Sequence, residues 1–215
     1  MRADRQTAGH GRLGRAWEMP AGNLAMSGLI RLQPGEGQAP ELGFVAALAL
    51  HDAVATLVDP ALLQLKWPND LLLDGAKLSG ILLERTGDAL VLGIGVNLAV
   101  APDIAGRATV ALADHGVALA AAALADMVVA AFSKRRFEWR RQGFAASRAA
   151  WLQRAHPLGT MLRVTAGAQL LEGGFAGLAE DGALLLQEVD GRRHVVHAGD
   201  VFALPQTGAR TGEMA

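Results

Sequence analysis

The chain is 215 residues long, 51% hydrophobic and 19% charged, and its twenty basic and twenty-one acidic side chains leave a net charge of −1. A chain of this length buries roughly 70% of the surface its unfolded form exposes, enough for one substantial domain and a small second one. Its charge balance excludes a whole-surface attraction to nucleic acid or anionic lipid, and the absence of cysteine excludes disulfides, thiolate nucleophiles and cysteine-based metal centres.

The first residues, Met1-Arg2-Ala3-Asp4-Arg5-Gln6, lack the apolar core of a signal peptide. They read as a short extended segment leading into a glycine-rich loop at 8–15, closed by Pro20 and Gly22. A strand is expected over 23–32 and a turn at Pro34-Gly35-Glu36-Gly37. Leu42, Val45, Leu48 and Ala49 recur at helical spacing, so 41–58 reads as a helix stopping before Asp59-Pro60. Strands at 63–67, 78–84 and 89–96 follow, separated by turns holding Pro68-Asn69-Asp70, Asp74-Gly75 and Gly87-Asp88. The stripe Leu124, Met127, Val128, Ala131 and Phe132 marks a helix over 118–139. Its alanine-rich first part, interrupted by Asp126, is too short and too weakly apolar to span a bilayer. A second helix at 142–155 ends at His156-Pro157. Beyond Gly159 come five short strands, 161–165, 170–178, 183–189, 193–197 and 201–204, a spacing that suggests a small barrel. The polar tail from Gln206 reads as disordered. A soluble, cytoplasmic protein is expected.

Gly9-His10-Gly11-Arg12-Leu13-Gly14 is a literal G-x-G-x-x-G, but Pro20 and Gly22 follow where a dinucleotide site needs a helix, and Glu36 sits in a turn rather than at a strand end. What distinguishes the loop is Arg12 and Arg15 interleaved with glycine, with His10 joining them when protonated. Exposed N–H groups and guanidinium donors suit a phosphate or a carboxylate; the same residues also fit a mobile surface loop with solvated arginines. Only three of the twenty basic residues are lysine, namely Lys66, Lys77 and Lys134, which points to places where a compact ammonium is wanted. Two of them open Lys66-Trp67-Pro68-Asn69-Asp70 and Lys77-Leu78-Ser79-Gly80. Strand alternation can bring Lys66, Asp70 and Lys77 to one end of a sheet, a constellation suited to magnesium and phosphate. An ordinary hairpin with a buried Trp and surface charges fits the spacing as well.

Other patterns carry less. His194 and His197 point to opposite faces of a strand and read as structural. Arg135, Arg136, Arg140 and Arg141 read as a solvated helix face, with docking of a carrier protein second. No G-x-S-x-G is present, Asp70 and Asp74 lack an aromatic sugar platform, and no helix-turn-helix pattern calls for nucleic acid.

Gln6-Thr7-Ala8-Gly9-His10-Gly11-Arg12-Leu13-Gly14-Arg15-Ala16-Trp17, Lys66-Trp67-Pro68-Asn69-Asp70, Lys77-Leu78-Ser79-Gly80-Ile81-Leu82 and Gly93-Ile94-Gly95-Val96-Asn97 occur in that order, and together they resemble the motifs of biotin–protein ligases over almost all of 2–204. The resemblance implies an α+β fold. A mixed β-sheet with packed helices, the class II synthetase-like ligase domain, would occupy 1–157, an SH3-like barrel 158–205, and a disordered tail 206–215. It also implies an ATP-dependent enzyme that forms biotinyl-5′-AMP and passes biotin to a lysine of a carboxylase carrier domain. Gln6, His10, Gly11, Arg12 and Lys77 would bind biotin, and Arg15, Trp17, Lys66, Asn69 and Asn97 the nucleotide. Arg12, Lys77 and Asp70 would be catalytic, and Asp70 with Asn69 would sit beside Mg2+. ATP and biotin are the implied substrates, the partner is a biotin carrier protein, membrane and nucleic acid are not expected, and a homodimer is left open.

Two departures stand out. His10 occupies a position where the family carries arginine, and Leu13 one where arginine is frequent, so this loop is less cationic. The family's Ser-Thr-Asn motif, with a strand before it and a helix after it, belongs upstream of Gln6, so a true start upstream of Met1 is expected, with a sheet edge and a helix-packing face otherwise uncovered. The rival readings are a truncated homologue that only binds biotin or nucleotide, and a lipoate-type ligase.

Overall fold

Residues 89–96 alternate apolar and small side chains, and in the computed structural model, which describes residues 1–204, they form a central strand with that span. The first nine elements are β1 (Arg2–Ala3), β2 (Leu24–Arg31), α1 (Glu41–Val54), β3 (Leu63–Lys66), β4 (Asp70–Leu73), β5 (Ala76–Thr86), β6 (Ala89–Val96), α2 (Ala121–Gln142) and α3 (Phe144–Leu152). Six strands make one sheet in the order β1-β2-β6-β5-β4-β3. The pairings between named strands are antiparallel, and parallel bridges join Leu65 to Ala155 and Lys77 to Thr109. The hairpin between β4 and β5 turns at Asp74-Gly75, both with positive φ (49° and 74°), as a two-residue connection with the twist of its strands requires.

α1 is apolar nearly all round because it is covered nearly all round. Leu42, Val45, Leu48 and Ala49 are at most 1% exposed, and the helix packs on α2, α3 and strands β3 to β5. Phe44 meets the rings of Phe144 and Trp151 edge-on at 5.2 and 5.6 Å. Each such buried side chain stabilises the fold by about 1.5–3 kcal/mol. The helix ends at Val54 rather than Val58: Thr56 Oγ1 donates to Ala53 O and Leu57 N to Val54 O, tightening the last turn. α2 starts three residues later than expected, after the extended Ala120, and stops at Gly143, whose φ is +75°.

Of the four α2 arginines expected on a solvated face, Arg141 is exposed, whereas the other three pair with carboxylates. Arg135 holds Asp52 of α1 with two hydrogen bonds, 2.6 and 3.0 Å, and reaches Glu138. Arg136 and Arg140 both pair with Glu36. Burial works against ionising Glu36, but the Gln33 N–H and these two guanidiniums outweigh it and hold the carboxyl below its usual range. His51, next to Asp52 in α1, is pushed down to about 4 by burial and by Arg154 and Arg135, against the pull of Asp52.

From His156 onward a second unit begins. Strands β7 (Met161–Ala166), β8 (Gln169–Leu178), β9 (Leu184–Gln187), β10 (Arg193–Val196) and β11 (Asp200–Ala203) form an antiparallel sheet in the order β10-β9-β8-β7-β11. Its core is Leu162, Val164, Phe175, Leu178, Leu184, Leu186, Val196 and Val201. His194 pairs with Glu188 and His197 with Asp181. The tail expected at 206–215 lies outside the described residues. Among the described residues no helix is long and apolar enough to cross a membrane.

Candidate active site

Where β5 and β6 run together, the sheet face opposite the buried Leu92, Ile94 and Val96 is rich in glycine, with Leu82 beside Gly93. Gly93 and Gly95 alternate with those side chains, and Gly80 is the cross-strand partner of Gly95. Alternation therefore leaves a bare strip on that face. Trp17 fills part of it: a Cβ on Gly95 would lie 2.4 Å from the indole, and one on Gly80 3.2 Å from it. Lys77 Nζ stands 5.7 Å from the centre of the same ring, within cation–π range.

Asp70 ties two of the sequence motifs together. Its Oδ1 accepts from Lys77 Nζ at 2.6 Å, and its Oδ2 is 4.0 Å from Lys66 Nζ. Register explains the cluster. Lys66 pairs with Asp70 across β3 and β4, Asp70 with Gly80 across β4 and β5, and a shift between Leu71 and Leu72 sets the place of Lys77. The three side chains are only 12–14% exposed, so their charges act in a poorly screened setting. Asn69, at the turn, is held by its side-chain amide donating to Ile81 O.

The glycine-rich loop is a short hydrogen-bonded hairpin whose foot is Trp17. Trp17 N donates to Gly9 O at 2.9 Å, Gly11 N to Arg15 O at 2.7 Å, and a 3-10 turn over Arg12–Gly14 closes the tip. Gly9 is required here, because a Cβ would lie 2.5 Å from Trp17 O. His10 Nε2 reaches Glu84 Oε2 of β5 at 3.4 Å, and Gln6 is exposed just ahead of the hairpin.

Next to Lys77 lies a cavity of about 330 Å³, lined by Trp17, Lys77, Asn97, Pro102, Ile104 and Thr109 among others. Asn97 is 2% exposed; its Nδ2 donates to Lys77 O and Val110 O, while its Oδ1 has no partner. A buried acceptor left open costs about 1–3 kcal/mol unless a ligand fills it. The structure thus brings Trp17, Lys77 and Asn97 together around one cavity. It places Lys66 and Asn69 beside Asp70 at the β3–β4 turn, and Arg15 at the loop, outside the cavity lining. Sequence reasoning missed Pro102, Ile104 and Thr109, which no motif marks, and the stacking of Trp17 on Gly95, which the two-residue glycine spacing in β6 could have signalled.

Comparison with known proteins gives one answer. The model of the Biotin/lipoate A/B protein ligase family matches residues 2–100, and that of the biotin protein ligase C-terminal domain matches 158–204. A biotin–[acetyl-CoA-carboxylase] ligase of Paracoccus denitrificans is 42% identical over 93% of this chain and 88% of its own length. The chain belongs to the biotin–protein ligase family. A second such ligase, from Mycobacterium tuberculosis, is 37% identical over 94% of this chain and 77% of its own. The biotin protein ligase of Aquifex aeolicus, solved with biotin and ATP, superposes with a TM-score of 0.83 at 25% identity, covering 94% of this chain and 88% of that one. These relatives are enzymes that act on biotin, so neither a lipoate-type ligase nor a non-catalytic biotin binder is favoured. The five-stranded sheet is the SH3-like C-terminal domain of such ligases.

Asp70 and Asn69, the residues expected beside magnesium, are engaged within the protein. The single carboxylate is occupied by two ammonium groups, the Asn69 amide is spent on Ile81 O, and among the described residues no group of three His, Asp or Glu is placed to hold a metal.

Proposed function

We propose that this ligase condenses biotin with ATP to biotinyl-5′-AMP and then transfers biotin to a lysine of a carboxylase carrier domain in the cytoplasm. The observation that carries the reading is Lys77, poised between the Asp70 carboxylate and the Trp17 ring at the mouth of a cavity with an open buried acceptor. A volume of about 330 Å³ suits a nucleoside rather than a whole nucleoside triphosphate. The base lies against Trp17 with its exocyclic amine donating to Asn97 Oδ1, and the phosphates run out past Lys77. Arg15, Lys66 and Asn69 belong to the phosphate side. Biotin occupies the bare glycine strip, with Gln6, His10, Gly11 and Arg12 closing over it. Magnesium arrives on the ATP as part of the substrate. A homodimer stays within the proposal, and light scattering decides it.

In the first step a biotin carboxylate oxygen bonds to the α-phosphorus as the bond to pyrophosphate breaks, and no proton moves. The two anions repel by about 1 kcal/mol at 4 Å in water and about 4 kcal/mol at an effective dielectric of 20. Lys77, Lys66 and Arg12 offset that repulsion most strongly in the transition state. The ordered loop keeps water from the mixed anhydride. In the second step the acceptor amine attacks the acyl carbon and AMP leaves. Asp70, released when Lys77 turns to phosphate, takes the amine proton. Biotin-dependent exchange of labelled pyrophosphate into ATP tests the first step, and no exchange by a folded protein would reject it. Transfer from preformed biotinyl-5′-AMP tests the second: Asp70→Asn should slow it, and a normal rate would remove Asp70 from that role.

A further inference from the structure

The wall of the cavity that carries Asn97 is held at its root by a side chain outside every sequence motif. Asn23, 4% exposed, lies between Gly22 and the first residue of β2. Its Oδ1 accepts from the backbone N–H groups of Leu98, Ala99 and Val100 at 3.0, 2.9 and 3.1 Å, and its Nδ2 donates to Val100 O at 2.7 Å. Three successive amides converging on one oxygen fix the orientation of the side chain. The two segments also approach closely beside it, since a Cβ on Gly22 would lie 2.8 Å from that of Ala99.

Residues 98–100 connect Asn97 to the outer wall of the cavity at 102–109. The far end of that wall is stitched to the sheet by Lys77 N on Ala108 O and Val110 N on Lys77 O, and closed on itself by Thr109 Oγ1 on Pro102 O. At the near end, Leu112 N and Ala113 N reach the carbonyls of Asn97 and Leu98, but the three amides of 98–100 are gathered by Asn23. Without that acceptor they are left facing a buried gap, and the segment must move to satisfy them.

We propose that Asn23 is a positioning residue for the nucleotide side of the site: by collecting the amides of 98–100 it sets the depth of Asn97 and the stance of the 102–109 wall, so the cavity is formed before ATP arrives. It touches no substrate, and the proposal rests on the reading of this cavity as the nucleotide site. Such preorganisation shows as affinity for one substrate and not the other.

Calorimetric titration of ATP and of biotin, each alone, into the parent, Asn23→Ala and Asn23→Asp tests it. Asn23→Ala should weaken ATP binding at least tenfold and leave biotin within twofold. Asn23→Asp keeps the three-way acceptor but gives up the Nδ2 donor to Val100 O, so it should lose clearly less ATP affinity than Asn23→Ala and leave biotin within twofold. Equal weakening of ATP and biotin, or equal ATP loss in the two variants, marks a merely structural role and overturns the proposal. Should Asn23→Ala not fold, amide exchange in the unsubstituted protein decides: the amides of 98–100 should slow on adding ATP and not on adding biotin, and no ATP-specific change overturns the proposal. A folded parent without biotin-dependent pyrophosphate exchange defeats the proposed function and this inference with it, whereas a parent that exchanges but binds no ATP alone defeats only this inference, whose cavity is formed before ATP arrives. A competent Asn23→Ala with unchanged ATP affinity defeats only the role of Asn23.

Discussion

The glycine-rich hairpin and the β3–β5 corner both bear cations beside Trp17, but they are built in opposite ways. In the hairpin His10 is 57% exposed at its side chain and Leu13 78% exposed, and order comes from backbone hydrogen bonds such as Gly11 N to Arg15 O. At the corner Lys66, Asp70 and Lys77 are nearly buried and hold one another through strand register. Charges fixed and desolvated in advance act on a transition state without reorganising. Charges on an exposed hairpin are hydrated until the hairpin closes on a ligand. The corner should therefore govern the rate, and the hairpin the retention of what has been made.

The comparison breaks most easily at Lys77. Lys77→Ala should lower pyrophosphate exchange at least about 100-fold, or about 2.7 kcal/mol, with an unchanged circular dichroism spectrum; activity within tenfold of the parent removes the corner from the chemistry. An acid titration then separates scaffold from site. The folded His51 pKa of about 4 lies below its unfolded value near 6.5, so stability is full above that value and is lost as pH falls toward 4. By pH 5 the loss from this group is roughly 2 kcal/mol, read from urea unfolding at pH 7 and pH 5, and it should vanish in His51→Gln. Glu36, held below the usual carboxylate range by the Gln33 N–H and its two guanidiniums, takes up its proton at lower pH than an unpaired carboxylate would. Gly95→Ala should push the indole off the sheet and raise the KM for ATP about tenfold, or about 1.4 kcal/mol, which steady-state kinetics reports. The smallest effect belongs to the hairpin: the His10–Glu84 pair is exposed, and His10→Ala should change exchange by less than about threefold, with that difference shrinking at high salt.

Much of the frame was legible in the residues. Alternation at 89–96 matched β6 end for end, and Asp74-Gly75 marked a hairpin that the structure contains. β4 was not legible: Leu71, Leu72 and Leu73 form an apolar run without alternation between two turn signals, and only its neighbours on both sides make it a strand. The arginines of α2 misled for a related reason. Periodicity places them on a face, but not the acidic partners Asp52 and Glu36, which come from elsewhere in the chain. At the site, the motif residues Trp17, Lys77 and Asn97 were legible as residue types, whereas the bare strip beneath Trp17, the open Oδ1 of Asn97 and the three-amide grip of Asn23 are products of register and loop path. Residue types announce chemistry, and long-range pairing decides where it is assembled.

Asp70 lends itself to two ammonium groups at once, and this shapes what the corner will admit. A lone chloride or monoanion gains little by evicting a carboxylate already seated 2.6 Å from Lys77. A ligand bearing several negative oxygens can engage both lysines together and displace their internal companion in a single exchange. On the proposed function, the aspartate is then a stand-in tenant, holding the place of the polyanion and discouraging weaker visitors.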